Sequence, residues 1–200
     1  MRFHKVISTI LHPIVIPTLG VLLYFIFVNQ SVTQKQQLLL LALVFGITYL
    51  IPLLALIVLK SLGIIEDFQV KTIKERRFPV IFMIVLFYLL GNTLANLPTL
   101  RNLGLLFFGT SLSLVIIYLL FSFKLKSSLH LVSMGNAVSF FLIISNIYYL
   151  SLLPIVMVLI LLSGLLASSR LYLKAHTPQE LALGFFIGMI SQFAIFSFLQ

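Results

Sequence analysis

Seven long apolar runs, separated by short polar stretches, leave this chain few folds to choose from. They cover roughly residues 8–29, 36–60, 79–97, 103–123, 131–149, 151–168 and 179–198, and an α-helix needs about 20 mostly apolar residues to cross a bilayer. The runs are too long and too continuous for the alternating segments of a membrane β-barrel. Composition agrees, since 61% of the residues are hydrophobic and 8% are charged, too few charges for a water-facing surface. The sequence predicts an all-α, polytopic transmembrane helical bundle of about six to seven spanning helices, forming a single integral-membrane domain over residues 1–200. Arg2 and Lys5 followed by an apolar run have the outline of a signal peptide. That run continues through Phe27 without a small-residue cleavage site, and it is read as a retained first helix. The fifth run contains Gly135, Asn136, Ser139 and Ser145, which predicts a helix facing its neighbours or a polar cavity.

With seven crossings, the N-terminus and the segments after the second, fourth and sixth runs share one face. Those segments are EDFQVKTIKERRFP (residues 66–79), KLKSSLH (residues 124–130) and SRLYLKAHTPQE (residues 169–180). All Lys and Arg residues except Lys35 and Arg101 fall on that face, which the positive-inside rule makes cytoplasmic. The same cations also suit the binding of an anion. The formal net charge of +9 calls for no nucleic-acid partner, because the cations flank spanning helices and form no soluble basic face. There is no cysteine, which removes disulfides and thiolate chemistry.

The polar clusters admit an ordinary reading: basic residues beside membrane helices fix topology or meet anionic headgroups. Thr177-Pro178-Gln179-Glu180 reads as a capping box with proline at the first helical position. His4 and His12 are assigned interfacial or packing roles. What remains unexplained is the crowding of Arg170, His176 and Glu180, with His130 on the same face. A phosphoryl-transfer site accounts for the set. A phosphate monoester needs several fixed cations, and arginine donates two hydrogen bonds to one phosphate. A neutral imidazole attacks phosphorus well when an acceptor such as Glu180 holds its other nitrogen. A second histidine, His130, then protonates the departing alkoxide.

SRLYLKAHTPQE resembles the third signature of the type 2 phosphatidic acid phosphatase family, Ser-Arg, five residues, His, three residues, Asp. Ser169, Arg170 and His176 match, with Glu180 at the Asp position. SSLH is similar to the second signature, Pro-Ser-Gly-His, through Ser128 and His130, with Ser127 and Leu129 replacing Pro and Gly. In KTIKERRFP, Lys71 and Pro79 keep the spacing of the first signature, Lys, six residues, Arg-Pro. Phe78 takes the Arg position there, and Arg76 or Arg77 is left to replace it. The resemblance spans a phosphatase-like core of about residues 66–198. It implies a lipid phosphatase of the bacterial inner (cytoplasmic) membrane that works without metal or other cofactor. His176 would be the nucleophile, Glu180 its orienting partner and His130 the general acid, with Lys71, Arg76 or Arg77, Ser128 and Arg170 binding phosphate. Family members in bacteria often act on the outer face, opposite to the cation count. The implied partner is a phospholipid or polyprenyl phosphate within the bilayer.

Rival classes are weighed on the same residues. An inactive phosphatase-like protein that binds or moves phospholipid shares the cluster. A transporter predicts charges at mid-membrane depth, whereas the charges here fall at the ends of the runs. A prenyltransferase needs paired Asp-rich magnesium loops, and Asp67 is the only aspartate.

Overall fold

The computed structural model describes residues 2–28, 32–68, 70 and 72–200. Its helices are α1 (Arg2–Ile10), α2 (Ile16–Phe27), α3 (Gln34–Phe45), α4 (Ile51–Ser61), α5 (Ile73–Ala95), α6 (Arg101–Ser122), α7 (Leu129–Ile147), α8 (Leu153–Tyr172) and α9 (Pro178–Leu199). No strand occurs among the described residues. A π-helical turn, Gly46–Leu50, joins α3 to α4, so that Gln34–Ser61 forms one rod of 28 residues. Pro52 follows that turn and can donate no backbone hydrogen bond, a common origin of such a widening. Among the described residues six helices, the Gln34–Ser61 rod counted as one, are long and apolar enough to cross a membrane. Leu161, Phe186 and Phe198, all well exposed, belong to the apolar perimeter that meets lipid.

The first apolar run departs from expectation. Residues 8–29 do not form one helix; the chain breaks between α1 and α2, around His12 and Pro13. Proline lacks an N–H and biases the residue before it away from helix, and Pro17 then sits in the first turn of α2. With 12 residues, α2 rises only about 18 Å, yet the segment still passes from one end of the bundle to the other. Ser8 meets His130 at the start of α7, while the Tyr24 hydroxyl lies 3.2 Å from that of Tyr148 just past its end. The run expected from residue 79 likewise starts earlier, at Ile73. Thr72 and Glu75 close a capping box there, and most of KTIKERRFP becomes the first turns of α5.

Hydrogen bonds between distant segments settle which loops share an end. Arg76 reaches the Ser127 carbonyl, the Ser128 N–H reaches the Glu180 carbonyl, and Arg170 reaches Ser8. At the opposite end Asn102 bonds Tyr148 and Arg101 bonds the Leu199 carbonyl. The three polar segments and the N-terminal helix therefore meet at one end, as the seven-run topology requires.

The centre of the bundle is α7. Gly135, Asn136 and Ser139 are buried, and their side-chain oxygens find partners: the Ser113 hydroxyl donates to Asn136 Oδ1 at 3.1 Å, and that of Ser139 donates to the Gly135 carbonyl at 2.7 Å. Helix α9 lies very close against it. A Cβ on Gly188 would fall 2.3 Å from the Val132 carbonyl oxygen, and one on Gly135 would fall 2.1 Å from that of Phe185. Small residues at such crossings let backbones approach where lipid supplies no hydrophobic drive. Gly135→Ala and Gly188→Ala should each cost about 1–3 kcal/mol, because backbone must move to admit the methyl group. Gly164→Ala, whose Cβ meets nothing within 4 Å, should be neutral or stabilising by about 0.5–1 kcal/mol; melting temperatures in detergent compare the three.

Candidate functional site

The loop between α8 and α9 is short and sharply turned. The Ala175 N–H returns to the Arg170 carbonyl at 3.1 Å, and Lys174 takes a left-handed conformation with φ of 51°, an arrangement that ends a helix by reversing the chain. The reversal puts the end of α8, which carries Arg170, beside the start of α9. Thr177 caps α9 with Glu180 in a reciprocal box. The same carboxylate serves His176: Nδ1 donates to Glu180 Oε2 at 2.6 Å. One oxygen thus performs both the capping and the orienting roles. With Nδ1 holding the proton, Nε2 is the nitrogen with a free lone pair.

A cavity of about 190 Å³ opens at this end of the bundle, and His176, His130, His12, Arg76 and Arg170 all line it. Burial and the two guanidinium groups of Arg76 and Arg170 outweigh Glu180 and lower the pKa of His176 from 6.5 to about 4. The imidazole is therefore neutral at physiological pH. His130 Nε2 lies 3.2 Å from the Ser8 carbonyl oxygen, an acceptor only, so this nitrogen carries its proton. Arg76 is buried at 9% exposure and ties Nε to the Val70 carbonyl at 2.8 Å and Nη1 to that of Ser127 at 3.3 Å. Arg170 donates from Nη1 to the Ser8 hydroxyl at 2.8 Å, and its buried Nε has no hydrogen-bond partner. An unpaired, buried guanidinium N–H is costly, and an anion in the cavity would satisfy it. The N-termini of α5, α7 and α9 converge at this end and add partial positive charge.

The remaining expected residues stand differently. Arg77 points outward and is exposed, unlike Arg76. Ser128 is fully buried, but its Oγ lacks a partner and makes no cap bond; its backbone instead bridges to α9, and it is not on the cavity wall. Leu129, in place of the glycine of the resembled signature, does line the cavity. Lys71 lies outside the described residues. Among the described residues no group of three His, Asp or Glu side chains is placed to hold a metal ion.

Sequence reasoning missed Ser8 and His12. The His12 ring stands edge-on to His130 with centroids 5.1 Å apart. His4, in contrast, stacks on Tyr172 at 4.1 Å and meets the Ser169 hydroxyl, the packing role expected of it. The signal that could have found His12 is the His-Pro break inside an apolar run, since irregular backbone at membrane depth is tolerated mainly where it lines a cavity.

Comparison with protein-family models, with curated proteins and with solved structures gave no match for this chain.

The low pKa of His176 carries a pH consequence. It is depressed below the unfolded value of 6.5, so the unfolded chain binds more protons between pH 6.5 and about 4. Stability is whole above pH 6.5 and falls as pH drops through that window. Melting temperatures recorded from pH 7.5 to pH 4 should decline across it, and His176→Asn should flatten the decline.

Proposed function

We propose that the protein is a membrane lipid phosphatase that removes phosphate from a lipid phosphate or pyrophosphate through a phosphohistidine, without a metal ion. The observation that carries the reading is the 2.6 Å bond from His176 Nδ1 to Glu180. It leaves the Nε2 lone pair available on a side chain that shares one cavity with two arginines and His130.

In the proposed reaction the substrate phosphate bridges Arg76 and Arg170, replacing the Ser8 hydroxyl on Arg170. The Nε2 lone pair of His176 forms a bond to phosphorus as the ester P–O bond breaks. Positive charge that develops on the imidazole is steadied by Glu180. His130 enters the step as imidazolium, protonated from water when the phosphate dianion takes its place beside the ring, and gives its Nε2 proton to the departing alkoxide, which leaves it neutral. Water then attacks the phosphohistidine, with neutral His130 taking its proton; the P–N bond breaks, its electrons return to Nε2, and inorganic phosphate leaves. The arginines hold the equatorial oxygens throughout, where charge spreads in the transition state.

A second reading, a catalytically inactive phosphatase-like protein that binds or moves phospholipid, draws support from one contact. His130 Nε2 faces the Ser8 carbonyl, so the proposed acid is occupied by the N-terminal helix until a ligand displaces it.

Purified protein in detergent should release phosphate from a short-chain phosphatidate or polyprenyl phosphate with chelator present. His176→Ala should lower the rate by about a thousandfold or more, and acid-labile radioactive phosphate should be trapped on His176 in the wild type. His130→Ala should impair alkyl phosphates severely but spare p-nitrophenyl phosphate, whose leaving group needs little protonation. Arg76→Ala should raise KM or lower kcat, while Arg77→Ala leaves both near wild type. Phosphate release unaffected by His176→Ala would sink the enzyme reading.

A further inference from the structure

The cavity does not end at the charged cluster. From His12 and His130 it runs into the bundle between α2, α4, α5, α6 and α7, past Pro52, Ala55, Met83, Phe107 and Phe140. Gly20, in the middle of α2, lies on this wall. It is buried, yet a Cβ placed on it would meet nothing within 4 Å. A buried helix residue facing open space marks a gap in a bundle that elsewhere packs backbone on backbone, as at Gly135 and Gly188. Protein interiors pack densely, and an unfilled apolar cavity is destabilising roughly in proportion to its volume. A polar signal lies on the same wall: Asn136 is 3% exposed, and its Nδ2 has no hydrogen-bond partner. It stands six residues beyond His130, about 9 Å along α7. Hydrocarbon cannot accept from that donor, so the affinity for a chain comes from the apolar wall and not from Asn136.

We infer that this inner cavity is a binding subsite for one hydrocarbon chain of a phosphate-bearing lipid, drawn into the bundle between α2, α4 and α5 while its headgroup sits among Arg76, Arg170 and the histidines. This deepens the proposal above and rests only on its phosphate-binding half. Charge selects the occupant. The mouth presents two guanidinium groups, one with an unpaired buried N–H, and the depth is apolar, so the complementary ligand is anionic at one end and aliphatic at the other. Size limits it to one chain: the whole cavity, charged mouth included, measures about 190 Å³, little more than the roughly 150 Å³ of a dry cavity that holds one benzene, so a second chain has no room beside the first. Entry is lateral. Phe68 and Phe78 stand at the cavity edge and are themselves exposed, next to where α4 and α5 face each other with little direct packing. A chain can pass there from the bilayer without crossing water.

The test uses butyl, octyl and dodecyl phosphonate, which cannot be hydrolysed, titrated calorimetrically into the full chain in detergent. At about 0.8 kcal/mol for each buried methylene, affinity should rise by at least about tenfold from butyl to octyl. Gly20→Phe should erase that rise and leave butyl phosphonate binding unchanged, and Ala55→Phe, reaching in from α4, should do the same if the first variant fails to fold. Gly164→Phe, on an exposed position of α8, should change nothing. Affinity independent of chain length, or a chain-length gain that survives both filled-cavity variants, overturns the inference. The two proposals separate cleanly. Hydrolysis of octyl phosphate without chain-length dependence keeps the phosphatase and discards the subsite. Chain-dependent phosphonate binding without any hydrolysis keeps the subsite and discards the phosphatase.

Discussion

The close crossing of α7 and α9 is the contact on which the rest of the arrangement depends. Gly135 and Gly188 let each helix rest against the other's carbonyl groups, and the Ser128 N–H then reaches the Glu180 carbonyl at 3.1 Å. These contacts fix the two helix starts at the same height. His130 is the second residue of α7 and His176 lies two residues before α9, so a displacement of one helical turn, about 5.4 Å, would take the two imidazoles out of a common cavity. In a bilayer no water is expelled when helices meet, so van der Waals contact over closely fitted backbones must supply the attraction. The glycines thus serve geometry first and the candidate chemistry through it.

The cluster at this end is electrically unbalanced. Arg76 and Arg170 both line the cavity, and the nearby carboxylate of Glu180 is already engaged with His176 and the start of α9. Desolvating two guanidinium groups with so little countercharge is expensive. Carbonyl groups of Val70 and Ser127 and the hydroxyl of Ser8 offset part of that cost. An anion would offset the remainder. Burial first, and the unbalanced arginines second, keep His176 neutral, which matches the protonation state that a nucleophilic imidazole needs.

Some of the candidate site was legible in the sequence because it is local. His176 and Glu180 are four residues apart at a recognisable helix start, and a capping pattern fixes where that helix begins, so their pairing follows from helical periodicity alone. The choice between Arg76 and Arg77 was not legible. Adjacent residues on a helix differ by about 100° in direction, and only the neighbours of α5 decide which one turns inward. Ser8 and His12 were hidden for a different reason: Ser8 reaches His130 across 122 residues of chain and His12 meets the same ring, contacts that no local pattern announces. The proline break that frees them was readable, but it lay inside an apolar run long enough to pass for a helix.

What the sequence determined by itself was the medium and the class of fold. Long apolar runs must bury their backbone hydrogen bonds within helices when placed in lipid, and the parity of the runs gathers the polar segments at one end. What only the tertiary structure decided was the cavity: its wall at Gly20 and Asn136, the inward turn of Arg76, and the approach of the N-terminal segment to His130. Helix periodicity is a property of neighbours along the chain, whereas an empty space exists only as the gap that several distant helices leave between them.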